Sequence, residues 1–98
     1  MSVLITQRVP GDTDQFRRFI EDEERLAGYA ERAKAAGAIH HRFAIGDGFV
    51  LVVDEWGSAD QYERFIGELV AEGVFADAGA RGEPEVIVAE AVTTADQF

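Results

Sequence analysis

The run Ala38–Trp56, AIHHRFAIGDGFVLVVDEW, decides the fold. Asp47-Gly48 at its centre is the residue pair that a tight hairpin turn selects, because glycine readily takes the positive φ such a turn requires. Two apolar-rich runs of strand length flank it, Ala38–Ile45 and Phe49–Trp56. A two-residue turn there sets Gly46 opposite Phe49, Phe43 opposite Val52, His41 opposite Asp54 and Ile39 opposite Trp56. Side chains on a strand alternate between faces. Ile39, His41, Phe43, Val52, Asp54 and Trp56 therefore share one face with Ile45 and Val50. His40, Arg42, Ala44, Leu51, Val53 and Glu55 take the other, with His40 opposite Glu55. A register slip of one residue would exchange the two sets.

Outward from the hairpin, the chain reads as a strand and helix before it and a helix and strand after it. Ser2–Val9 is rich in Val, Ile and Leu and stops at Pro10-Gly11, so it reads as a first strand. Asp12 or Thr13 starts a helix, with Asp12 and Gln15 resembling a capping pair. Phe16, Phe19, Ile20, Leu26, Ala27, Ala30 and Ala33 then form one stripe at helical spacing, and Gly37 is a natural residue to end it. After the hairpin, Ser58 with Gln61 is a second capping box. Tyr62, Phe65, Ile66, Leu69 and Val70 make an amphipathic helix that Gly73 closes. A loop or short turn of helix runs to Gly82, Pro84 precedes a fourth strand over Glu85–Val92, and a tail, Thr93–Phe98, is expected to be pinned to the rest. The order βαββαβ is the ferredoxin-like α+β arrangement, a four-stranded antiparallel sheet with two helices on one face. One domain spanning residues 1–98 is expected.

The third strand carries a further message. A strand solvated on one face alternates, yet Phe49-Val-Leu-Val-Val53 is apolar on both. Two helices shield only one face. The simplest cover for the other is a second copy of the chain, so a homodimer with the two sheets face to face is expected.

Composition excludes several classes. The net charge of −10 comes from 19 acidic against 9 basic residues. Nucleic acid and anionic membrane surfaces are therefore poor partners, since both need clustered Lys and Arg. There is no cysteine, which removes disulfides, thiolate catalysis and Cys-type zinc sites. No stretch reaches the ~18 apolar residues of a membrane span, and the start, Met1-Ser-Val-Leu-Ile-Thr-Gln-Arg, lacks the pattern of a signal peptide. A cytoplasmic location is expected. Adjacent histidines on a strand point to opposite faces, so His40 and His41 cannot hold one metal ion, and no metal site is expected.

The chemistry concentrates on the more apolar hairpin face, which is assigned to the helices. There His41 and Asp54 form a cross-strand pair beside Trp56. A carboxylate against imidazole fixes its tautomer and raises its basicity, which suits a general base. The same pair also reads as a satisfied structural contact. In a fully buried pair, removing His41 would cost about 3–5 kcal/mol. Glu23 falls on the apolar stripe of the first helix, where it snorkels outward, marks a break or lines a pocket. Tyr29 and Tyr62 are candidate walls of that pocket, as are Trp56 and Phe65. His40, Arg42 and Glu55 fall on the opposite face and read as an interchain network.

Strand, amphipathic helix, hairpin, Asp54-Glu55-Trp56-x-Ser58 and second helix together resemble the dimeric α+β barrel proteins, in particular the antibiotic biosynthesis monooxygenase-like group. The run Gly37-Ala-Ile-His-His-Arg-Phe43 through Val53-Asp-Glu-Trp56 is also similar to a set of small actinobacterial proteins. The resemblance spans nearly the whole chain. It implies a dimer with a pocket between sheet and helices in each subunit. Cofactor-independent oxygenases, haem-degrading enzymes, isomerases and stress-response proteins all share this scaffold. Haem-degrading members require an Asn on the first strand, a Trp on the second helix and a ligating His just after it. Here the first strand offers Thr6 and Gln7, the helix position falls near Phe65 and the His position near Gly79. The chain has no Asn, and no His after His41. No cofactor is therefore expected. The resemblance transfers no complete active site; with it, the chain reads as a cofactor-independent monooxygenase-like enzyme acting on a small aromatic or polyketide-like ligand, and the register makes His41 and Asp54 the expected catalytic residues. Glu23, Tyr29, Trp56, Tyr62 and Phe65 would contact the ligand. A non-catalytic small-molecule-binding or stress-associated dimer remains the alternative.

Overall fold

The computed structural model describes residues 1–98. The elements in order are β1 (Val3–Pro10), α1 (Thr13–Ile20), α2 (Glu23–Ala36), β2 (Ala38–Ile45), β3 (Phe49–Trp56), α3 (Ala59–Ala71), α4 (Val74–Ala78) and β4 (Glu85–Glu90). The strands form one antiparallel sheet in the order β2-β3-β1-β4, and this is the ferredoxin-like α+β fold.

The hairpin register agrees with the sequence reading from Ile45–Val50 through His41–Asp54 and His40–Glu55. It departs at the far end. A bulge between Ala38 and His40 places Ala38, not Ile39, opposite Trp56. Two residues then oppose one, and Ile39 is the extra residue, half exposed at the edge of the helix–sheet layer.

The first helix is two. The apolar stripe runs through Glu21-Asp22, but the chain breaks there. Asp22 accepts a hydrogen bond from the Arg25 backbone N–H and so caps α2 at its own N-terminus. Side-chain periodicity carries no record of that local competition.

Each proposed capping pair forms by half. Asp12 accepts from the Asp14 and Gln15 backbone N–H groups, and Ser58 accepts from that of Gln61. The glutamines do not return the bond. Gln15 donates to the Ala76 and Asp77 carbonyls, tying α1 to α4. Gln61 packs between Gly37 and Gly57, where its buried Oε1 has no partner.

The core lies between sheet and helices: Ile5, Trp56, Tyr62, Phe65, Leu69 and Val74 form one buried cluster. Trp56 and Ile5 are each only 1% exposed. The opposite sheet face is bare, with Leu4 and Val53 about half exposed and Ile87 more so. β4 ends at Glu90, two residues short of expectation, and is exposed throughout. The tail is not pinned. Thr93–Phe98 turns back on itself through a bond from Gln97 N–H to the Thr94 carbonyl, and every residue in it is exposed. Apart from Phe98, which stands fully out, it offers little apolar surface to dock.

Candidate functional site

Between the inner sheet face and the helices lies a cavity of about 490 Å³. That is within the range of small-molecule sites. Its walls are mostly apolar. α1 contributes Phe16 and Phe19, α2 contributes Leu26, Tyr29 and Ala33, and α3 contributes Phe65, Ile66 and Leu69. The floor is the sheet, through Val9, Val50, Val52 and Trp56.

Into this apolar space the sheet puts a small polar set. His41 Nδ1 lies 2.7 Å from Asp54 Oδ1 across the β2–β3 ladder. Asp54 Oδ2 accepts from the Trp56 indole Nε1–H at 3.0 Å. The carboxylate is buried, and both its oxygens are engaged. A carboxylate is acceptor-only, so the Nδ1 facing it carries a hydrogen, which in the neutral imidazole leaves the lone pair on Nε2. The His41 side chain is 45% exposed and lines the cavity. Its ring packs nearly perpendicular to that of Phe43, with centroids 4.5 Å apart. The arrangement is an imidazole oriented by a carboxylate at the rim of an apolar chamber.

The other proposed residues divide. Trp56, Phe65 and Tyr29 line the cavity. The Tyr29 hydroxyl is already engaged, accepting from Arg25 Nε at 2.8 Å. Tyr62 stands behind the wall: it packs edge-on against Trp56 and is absent from the lining. Its hydroxyl donates to Gln7 Oε1 at 3.1 Å. Burial, with the Asp54 charge nearby, pushes its pKa up to about 12. Glu23 is the first residue of α2, exposed and outside the cavity wall. It belongs with the helix break, where a carboxylate suits the positive end of the helix dipole.

On the outer face, Glu55 accepts from the Ser2 hydroxyl at 2.6 Å. His40 and Arg42 make no side-chain hydrogen bond to it, so the charged trio is not a network within one chain. No group of three or more His, Asp or Glu side chains is arranged to hold a metal ion. No helix is long and apolar enough to cross a membrane.

The sequence reading named Gln7 only as a residue of the first strand, not as part of the site. Gln7 on β1 is 2% exposed, faces inward with Ile5 and Val9, and lines the cavity. Its signal was available, as a lone amide at an inward position of an otherwise apolar strand.

No family's sequence profile matches this chain, and no curated protein is significantly similar to it. Solved structures are similar to it along its whole length. A dimeric ferredoxin-like protein from an uncultured marine organism superposes with a TM-score of 0.70 at 13% identity, covering 99% of this chain and 100% of that one. The ActVA-Orf6 monooxygenase of Streptomyces coelicolor, solved with nanaomycin D, gives 0.68 at 16%, covering 99% and 93%. SnoaB, a cofactor-independent oxygenase of Streptomyces nogalater, gives 0.64 at 14% in a mutant form, covering 98% of each chain. The chain therefore has the ferredoxin-like fold found in antibiotic biosynthesis monooxygenases and cofactor-independent oxygenases.

Proposed function

We propose that this protein is a homodimer that takes a small aromatic or polyketide-like ligand into the helix–sheet cavity and oxygenates it without a cofactor. The observation that carries the reading is the His41–Asp54 pair at the rim of an apolar cavity of about 490 Å³. Oxygenases among its structural neighbours support it, and one of them was solved with nanaomycin D as its ligand. The bare outer face, with Leu4, Val53 and Ile87 in reach of a second copy, supports the dimer. The absence of cysteine fits a cytoplasmic setting.

The chemistry balances on its own. His41 Nε2 takes a proton from a phenol or an activated ring methylene, and Asp54 stabilises the imidazolium. The resulting anion passes an electron to dioxygen. Recombination forms a carbon–oxygen bond, and loss of water from the peroxide leaves a ketone. A methylene and one dioxygen become a carbonyl and one water. The four electrons that the carbon loses are those that dioxygen gains.

Oxygen uptake with 1,8-dihydroxyanthrone tests this. The wild-type protein should consume one dioxygen per anthrone, and His41→Ala should lower kcat by about 10²–10⁴-fold, the usual worth of a positioned base. Equal turnover in the two proteins would remove His41 from the mechanism. One observation favours a second reading, a binding protein without catalysis: Asp54 is completely satisfied by Trp56 and His41, as a structural pair would be. Thermal stabilisation by the anthrone with no oxygen uptake would establish that reading instead.

A further inference from the structure

We infer that Gln7 is a ligand-binding residue of this cavity, its amide N–H group directed at a ring carbonyl oxygen of the ligand. The inference rests on the cavity being a ligand site and specifies what that ligand must carry.

Tyr62 decides which end of the amide faces which way. Tyr62 Oη makes a single side-chain hydrogen bond, to Gln7 Oε1. The hydroxyl stays protonated until far above neutral pH, because burial raises its pKa to about 12. Turning the amide over would leave that buried hydroxyl hydrogen with no acceptor. Orphaning a buried donor costs about 1–3 kcal/mol. The network therefore fixes Oε1 toward Tyr62 and Nε2 away from it.

Nε2 has two donor hydrogens and no partner in the chain. Even so it is not sealed in. Gln61 Oε1 is the one fully buried side-chain polar atom without a partner, so the Gln7 nitrogen keeps accessible surface. The residue as a whole is 2% exposed and lines the cavity, so that small surface opens into the cavity. A buried strand seldom holds a glutamine, because an unsatisfied amide in an apolar site is costly. Here one half of the amide is locked by a tyrosine placed behind the wall. The other half is presented to an otherwise apolar chamber.

Position adds the class of ligand. Gln7 pairs with Val52 of β3, and Asp54 lies two residues further along that strand, paired with His41 of β2. Donor and base are thus held two strands across and two residues along, about 12 Å between backbones. A fused-ring system with a carbonyl at one end and an acidic hydroxyl or methylene at the other fits between them. In such a pose the Gln7 N–H would also stabilise negative charge that spreads onto the carbonyl when His41 removes the proton.

The test is calorimetric titration of the homodimer with two probes, 2-hydroxy-1,4-naphthoquinone and 2-naphthol. Both carry an acidic hydroxyl on two fused rings, and only the first carries ring carbonyls. Wild type should prefer the quinone by about tenfold. Gln7→Leu should erase the preference while 2-naphthol still binds, and Gln7→Glu should reverse it, since a carboxylate oxygen would then face the carbonyl. Tyr62→Phe, which unlocks the amide without changing it, should weaken the preference and decides the matter if the Gln7 variants do not fold. An unchanged ratio in Gln7→Leu, or in Tyr62→Phe where that variant decides, would overturn the role of Gln7 and leave the cavity a ligand site. Failure of both probes to bind wild type would overturn the ligand site itself and the inference with it.

Discussion

Trp56 donates its indole hydrogen to Asp54, two residues back on the same face of the same strand, at 3.0 Å. The sequence places Trp56 beside the His41–Asp54 pair as an apolar wall, but the structure makes it a third member of that pair. Replacing Trp56 with Phe keeps most of the ring and removes only the donor. Asp54 Oδ2 would then be buried without a partner, at a cost of about 1–3 kcal/mol. Urea denaturation of Trp56→Phe, Asp54→Leu and the double variant should give a coupling energy of about 1 kcal/mol or more. Strict additivity would show that the bond contributes nothing.

His41→Ala should separate activity from stability. The His41 side chain is 45% exposed, and Asp54 keeps its Trp56 bond when the imidazole is removed. Water can reach the vacated position. The stability loss should therefore be about 1 kcal/mol, well below the fully buried case. A loss of several kcal/mol with no change in turnover would mark the pair as structural.

The Tyr62 hydroxyl makes stability fall in alkali. Its pKa is raised to about 12 in the folded chain, against 10.0 when unperturbed. The neutral form is the one the fold favours. That contribution is whole below about pH 10 and is lost as pH climbs toward 12. Denaturant midpoints should fall across that window in wild type and fall less in Tyr62→Phe. Parallel curves would contradict the burial of the hydroxyl.

Gly37→Ala should destabilise the junction of α2 and β2. Gly37 sits at φ 121°, and a Cβ there would meet the Gln61 side chain amide. Strain and clash act together, so a loss of more than about 1 kcal/mol is expected. A melting temperature within a degree of wild type would contradict both the strain and the clash.

Ligand affinity should be indifferent to Glu23→Gln. The residue is exposed at the first turn of α2 and does not reach the cavity wall. A clear change in the dissociation constant for 2-naphthol would put Glu23 back into the site.

The sheet was readable because its signals are local. Asp47-Gly48 fixes the turn, and alternation from it carries the register through His40–Glu55. The bulge at Ile39 was not readable, since an extra residue leaves the composition of the strand unchanged. The break at Glu21-Asp22 was hidden by apolar spacing that continues across it. For the site, the His41–Asp54 pair followed from register alone. Tyr62 and Gln7 did not, because which side chain forms the wall and which stands behind it depends on how α3 packs on β1. That contact spans 55 residues of sequence.

The helix over the cavity differs from the rest of the layer in how it is attached. α2 has no buried residue. Its side-chain ties are at the rim, from Arg25 to Asp77 of α4 and from Arg32 to Glu72 at the end of α3. Its backbone amides should accordingly lose protection against hydrogen exchange before those of β1 and β3, through an opening that leaves every strand pairing intact. A ligand enclosed beneath it would slow exchange in α2 first, and that would report occupancy without any turnover being observed.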